Sequence, residues 1–253
     1  MKCIAPLLAT LALGFSPGSH AQHNPAQIDW VRVDRFEIAR TETTVGQFAR
    51  YVQATGAQTR AERDGGGLVY EAGWSQKKGW TWRTPFGTQR QDLWPAVHVN
   101  FDEAQAFCTW AGGRLPSDAE WVKAAYTETR AQPPAPWRSG QTYPYPTGLT
   151  PIGAQCLGDC GPDRAHPHGA SLTRGQGPAL AGVTLAGVNG LHDMGANAWE
   201  WVDEPRGDAA EKRTRGGSWW YGAEPMRADH LAAKDRRMAV VYIGFRCLRE
   251  PKP

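Results

Sequence analysis

Three short stretches hold the residues whose types and spacing could do chemistry. The first runs Gly190-Leu191-His192-Asp193-Met194-Gly195-Ala196-Asn197-Ala198-Trp199-Glu200-Trp201. It is followed by Arg215-Gly216-Gly217-Ser218-Trp219 and then by Gly244-Phe245-Arg246. Turn formers and tryptophan dominate all three, a composition that suits a loop-built site better than a long helix or strand. Carboxylates around a tight loop, here Asp193 and Glu200, are the donors a hard cation selects. Their competing use is to cap turns or pair with arginines.

Cysteine supplies the other chemistry. The chain opens with Lys2, an apolar run from Cys3 to Phe15 and the small-x-small close Ser19-His20-Ala21. This is the pattern of a secretory signal peptide over 1–21, cleaved after Ala21, and its apolar run is too short to span a bilayer. No stable membrane anchor is expected, and the mature protein is expected to be periplasmic or secreted. Removing the leader leaves Cys108, Cys156, Cys160 and Cys247. Four cysteines in an oxidising compartment fit two disulfides with three connectivities, against the alternative of buried free thiols. Zinc fits poorly: Cys156-x-x-x-Cys160 has no second close pair, and His166-Pro167-His168 reads as a turn. The net charge of +3 is spread among interleaved signs, so nucleic acid is not expected as a partner.

The elements that must position these residues are short. With 29 glycines, 19 prolines and 12 tryptophans, the chain predicts irregular backbone pinned by large aromatic rings. Residues 22–29 are polar and expected to be disordered, followed by one domain over 30–249. Alternation from Trp30 to Ile38 predicts a strand. Thr44 with Gln47, Asn100 with Glu103, and Ser117 with Glu120 predict helix starts. Gly112-Gly113 ends the second of these helices. Between Arg60 and Pro85 a surface loop or meander is expected. Short strands are predicted at Pro95 to Val99, Trp199 to Val202, Arg215 to Trp219 and Gly244 to Cys247.

Taken in order, these pieces resemble the formylglycine-generating enzyme (sulfatase-modifying factor) family. Phe36-Glu37-Ile38 with Glu42-Thr43-Thr44 is similar to the family's opening strand and helix. Gly79-Trp80-Thr81-Trp82-Arg83-Thr84-Pro85 and the long block from Ala104 through Arg114-Leu115-Pro116-Ser117 to Trp121 follow in family order. The resemblance implies a single α+β domain with the formylglycine-generating-enzyme fold, of the C-type-lectin-like kind, with little regular secondary structure. It also implies a Cys108–Cys247 disulfide that closes a loop of well over a hundred residues, and a local Cys156–Cys160 bond. The family's calcium ion would fall on Asp193, Glu200 and the backbone carbonyls of Ala196 and Ala198, although Gly195-Ala196 reverses the usual order.

One departure bears on function. The family's oxidising members use two cysteines shortly after the Gly-Gly-Ser motif, where thiolates bind copper(I). Those places hold Tyr221 and Met226, so copper is not expected. Relatives that form carbon–sulfur bonds take iron from an additional helical domain, which these residues do not include, whereas some relatives without the copper cysteines serve siderophore chromophore tailoring. The remaining cleft is expected to present Ser218, Tyr221, Arg227, His230 and Arg246, a set suited to a peptide or small-molecule ligand, with Trp219 packed in the core. Three readings follow. One is an exported, catalytically divergent member that binds such a ligand and assists its oxidative maturation. The others are a non-catalytic lectin-like binding module and a formylglycine-generating oxidase with displaced ligands.

Overall fold

The computed structural model describes residues 24–160, 177–204 and 209–251. The expected leader over 1–21 and the His166-Pro167-His168 turn lie outside them. Four helices open on reciprocal capping boxes. They are α1 (Val45–Thr55) on Thr44 and Gln47, α2 (Arg60–Arg63) on Thr59 and Glu62, α3 (Phe101–Trp110) on Asn100 and Glu103, and α4 (Asp118–Tyr126) on Ser117 and Glu120. Each side-chain cap satisfies an orphan N–H of the first turn, typically worth about 1 kcal/mol. The single turn of α2 lies where only loop is expected.

The strands are short and paired across long sequence distances. The segment predicted as one strand folds back as β1 (Trp30–Val33) and β2 (Phe36–Ala39), an antiparallel hairpin. It turns at Asp34, a residue type that tolerates the left-handed φ of 50° found there. A second hairpin joins β3 (Leu68–Tyr70) to β4 (Trp74–Gln76). The last third supplies β5 (Trp199–Val202), β6 (Glu211–Arg215), β7 (Ala232–Asp235), β8 (Ile243–Gly244) and β9 (Leu248–Arg249). Sheet orders are β1-β2-β9 and β7-β6-β5-β8, with β5 and β8 parallel.

Other expectations need correction. Pro95 to Val99 is buried but forms no strand; its N–H groups serve loops, Ala96 to the Thr43 carbonyl and His98 to that of Val240. The strand expected to continue to Trp219 stops at Arg215, because Gly216 and Gly217 take φ of 93° and 78°. Nor are the described residues of 22–29 free chain. The Asn24 side chain accepts from the Ile28 N–H and donates to its carbonyl, and Ala26 and Ile28 are buried. The meander after Arg60 keeps Trp74 exposed but buries Trp80 and Trp82.

The main core lies where α1 and α3 pack. Phe48 stacks on Phe107 with centroids 5.6 Å apart, and Phe107 meets Phe245 edge-on at 5.3 Å. Cys108 and Cys247 are bonded within this cluster. A smaller cluster holds Cys156, Cys160 and Met226. Among the described residues, no helix is long and apolar enough to cross a membrane.

Candidate functional site

The motif loops are knitted by their own backbones. Asp193, Ala196 and Asn197 take left-handed φ of 59°, 58° and 55°. The chain then runs into β5, and the loop after β6 closes over it. Ala196 N–H donates to the Gly216 carbonyl at 2.7 Å, Trp219 N–H to that of Asn197 at 2.9 Å, and Asn197 N–H to that of Gln155 at 2.9 Å.

Beneath these loops lies a buried charge cluster. The Arg246 Nη2 donates to Glu200 Oε1 at 2.6 Å and its Nε to Oε2 at 2.7 Å. Further donations reach the carbonyls of His192 at 2.8 Å and Ala39 at 3.1 Å, while Trp121 Nε1 donates to Glu200 Oε2 at 2.7 Å. Glu42, also buried, accepts from the Ala198 N–H at 2.8 Å and Asn197 Nδ2 at 2.6 Å. Burial, reinforced by the charges of Asp193 and Glu200, pushes the Glu42 carboxyl well above its usual range. Burial likewise raises Asp193, against donations from Thr184 and Gly182. Burial also opposes the Arg246 charge, but Glu200, Glu42 and Asp193 outweigh it and raise its pKa.

Of the residues expected to hold calcium, Asp193, Ala196, Ala198 and Glu200, the two carboxylates also accept hydrogen bonds from protein groups here. Both Glu200 oxygens are taken by Arg246 and Trp121. Asp193 accepts from Thr184 Oγ1 at 2.5 Å and Gly182 N–H at 2.7 Å.

The five cleft candidates separate. Ser218 and Arg246 are fully buried, so neither presents to a surface pocket. Arg246 is inside because Glu200 neutralises it; Ser218 Oγ instead accepts from the Trp220 N–H at 3.3 Å. Tyr221 and His230 both pack against one ring, that of Trp199. Trp199 lies 5.8 Å from Tyr221 and 5.7 Å from His230, and Tyr221 also meets Tyr242 edge-on at 5.7 Å. Lys234 stands 5.8 Å over the same indole, and burial lowers its ammonium pKa. Arg227 is exposed and turns to Asp229. Trp219 is in the core, as expected.

Sequence reasoning did not single out Trp199 as the shared wall, although it lies inside the quoted motif. Glu42 and Asp118 were also missed. Asp118 accepts from Arg215 Nε and Nη2, both at 2.7 Å, pinning the Gly-Gly-Ser loop to α4. Asp118 directly follows the capping residue Ser117, and Glu42 lies two residues before the capping residue Thr44.

Both expected disulfides are present, Cys108–Cys247 and Cys156–Cys160. The second lies against the segment that carries Tyr221 and Met226. Leu157 N–H donates to the Tyr221 carbonyl at 2.8 Å, Ala223 N–H to Asp159 Oδ1 at 2.9 Å, and Cys160 Sγ lies 3.7 Å from Met226 Sδ.

Short capped helices, small sheets and long motif loops define a single domain with the formylglycine-generating-enzyme fold, of the C-type-lectin-like kind. The family model of the sulfatase-modifying factor enzyme 1-like domain matches residues 11–251, and the chain belongs to that family. A formylglycine-generating enzyme of Thermomonospora curvata is 28% identical over 286 aligned positions, covering 94% of this chain and 89% of its own. An inactive C-alpha-formylglycine-generating enzyme 2 of Mus musculus is 29% identical, covering 86% and 76%. The structure of PvdO from Pseudomonas aeruginosa matches with a TM-score of 0.57 at 19% identity, covering 85% of this chain and 80% of that one, a likeness of fold.

Proposed function

We propose that this chain is an exported, catalytically divergent family member that binds a peptide or small molecule and assists its oxidative maturation. The observation that carries this reading is the replacement of the two thiolate positions by Tyr221 and Met226, with Tyr221 held half-buried against Trp199 beside His230. A partly exposed phenol and imidazole resting on one buried indole offer an amphipathic edge to an aromatic or peptidic ligand. Export is supported by the basic start and apolar run of the leader and by two disulfides, which persist in oxidising compartments. The relative named as inactive supports divergence within the family.

A non-catalytic binding module is the second reading, favoured by the withdrawal of Ser218 and Arg246 from the surface. An oxidase with displaced ligands needs Cys156 and Cys160 as thiols, and here they are bonded. The test is a fluorescence titration of the tryptophans with a panel of tyrosine- and tryptophan-containing peptides. Peptides that bind the wild type should lose at least tenfold in affinity for Tyr221→Ala and His230→Ala, with the melting temperatures of the free proteins little changed. Undiminished binding by both variants would show that the surface is misassigned.

A further inference from the structure

The sheet face that carries Trp199 holds a surplus of hydrogen-bond donors. Across β5, β6 and β7, Trp201 pairs with Thr214 and Lys212 pairs with Lys234. Side chains two residues apart share a face, so Trp199, Thr214 and Lys234 lie on one side of the sheet. Lys234 stands on the outer strand, yet its Nζ lies 5.8 Å over the Trp199 ring, so the two side chains meet above β6. On the same face the Thr214 hydroxyl and the Trp199 indole N–H are buried without a protein hydrogen-bond partner among the described residues. The two paired lysines differ in their surroundings, although like charges directly opposite one another destabilise a sheet. Lys212 is compensated: it donates to Asp203 Oδ1 at 3.4 Å and covers the Phe101 ring at 4.9 Å. Lys234 has no carboxylate within ion-pair reach among the described residues, and it donates to the carbonyl of its neighbour Ala233 at 3.4 Å. The nearby acids face away or are engaged. Glu211 and Asp235 pair one position along, on the opposite face, and Asp235 accepts from Arg237; Glu224 lies 3.2 Å from His230 Nδ1. Burial lowers the Lys234 pKa against the charge of Glu211, as expected of a half-buried ammonium with no anion beside it. An indole face at 5.8 Å is near the limit of about 6 Å for cation–π attraction, so it offsets that cost only in part.

We propose that Lys234 is the anion-recognising residue of the aromatic surface, and that the ligand carries a carboxylate close to an aromatic ring. The inference rests on the binding reading given above and adds the ligand's charge. An ionised carboxylate brings acceptor oxygens and no donor, which complements a face with donors to spare. Its hydrogen bond to an ammonium is charge-assisted and gains strength where water is partly excluded. It also neutralises one member of the Lys212–Lys234 pair, as Asp203 does for the other. A neutral ligand of the same shape gains none of this. Tyr221 and His230, packed on the same indole, supply the aromatic contact beside the ammonium. The carboxylate is either the C-terminus of the aromatic residue itself or an adjacent acidic side chain; both place the same group near a ring.

The test is isothermal titration calorimetry of the protein with two matched pairs of peptides. N-acetyl-alanyl-tyrosine, as free acid and as amide, probes a terminal carboxylate. N-acetyl-aspartyl-tyrosine amide, against its asparaginyl counterpart, probes a side-chain carboxylate. In at least one pair the acid should bind tenfold or more tighter than its neutral partner, and that pair identifies the source. Lys234→Met, which keeps the length of the stem, should weaken that acid at least tenfold and leave the neutral peptide within twofold. Lys234→Arg should keep a preference for the acid of at least threefold. Equal affinity within both pairs overturns the inference and leaves the binding surface standing. A Lys234→Met protein that still prefers the acid, or that loses both members of a pair alike, overturns it as well. Binding of none of the four peptides overturns the inference together with the reading it rests on.

Discussion

The disulfide of the aromatic core and that of the loop rim are built on different terms. Cys108–Cys247 joins residues 139 apart, both fully buried among Phe48, Phe107 and Phe245. Cys156–Cys160 spans four positions and rests against a loop segment through single hydrogen bonds and the Met226 thioether. Loop-closure entropy grows with the logarithm of loop length, so the long bond constrains the unfolded chain by about 5 kcal/mol and the short one by about 2 kcal/mol. The first holds the fold together. The second shapes one surface and leaves the rest of the molecule nearly indifferent to its loss.

The largest test of that contrast is Cys247→Ala. Loss of the cross-link should lower unfolding free energy in urea by about 5 kcal/mol, enough to leave little folded protein. A loss below about 1 kcal/mol would place the mechanical centre elsewhere.

A second test is confined to the core side. His98 is fully buried, accepts a left-handed φ of 56°, and has its ring nitrogens near the carbonyls of Pro85 and Ala239. Burial pushes its pKa down to about 4. The unfolded chain therefore takes a proton below about 6.5 that the folded chain refuses. The stability that His98 contributes is fully present above that pH and is lost as pH falls toward 4, a change on the order of 3 kcal/mol. His98→Asn keeps a residue that tolerates the backbone conformation and removes the titration. Its stability difference from wild type should shift across that window, and a constant difference would mean the imidazole is solvated.

The smallest effect belongs to the rim. Cys156→Ser with Cys160→Ser should cost about 2 kcal/mol and leave near-ultraviolet circular dichroism of the core tryptophans unchanged. Global loss of that signal would erase the distinction between the two regions.

How far the sequence could be read follows from the range of each interaction. Capping boxes were legible because donor and acceptor lie three residues apart, and Thr59 with Glu62 carried the same sign inside a stretch dominated by glycine and tryptophan. The fold and both disulfides were legible through the order of the motifs. Arg246 was not legible as a core residue. An isolated arginine in a glycine-rich motif looks like a surface ligand until Glu200 and Trp121 are brought to it from other elements. Tyr221 and His230 could be singled out from the motif, whereas the ring that both touch, Trp199, lies in a strand whose pairing with β8 could not be read locally.

The central claim is that the scaffold is the family's while Tyr221 and Met226 stand where a cysteine pair is expected after the Gly-Gly-Ser motif. Its most direct test is incubation of the disulfide-intact protein with copper(I), oxygen and a sulfatase peptide carrying the Cys-x-Pro-x-Arg motif, read by mass spectrometry. The peptide cysteine should remain unchanged at any incubation time. Catalytic conversion of that cysteine to formylglycine would contradict the account.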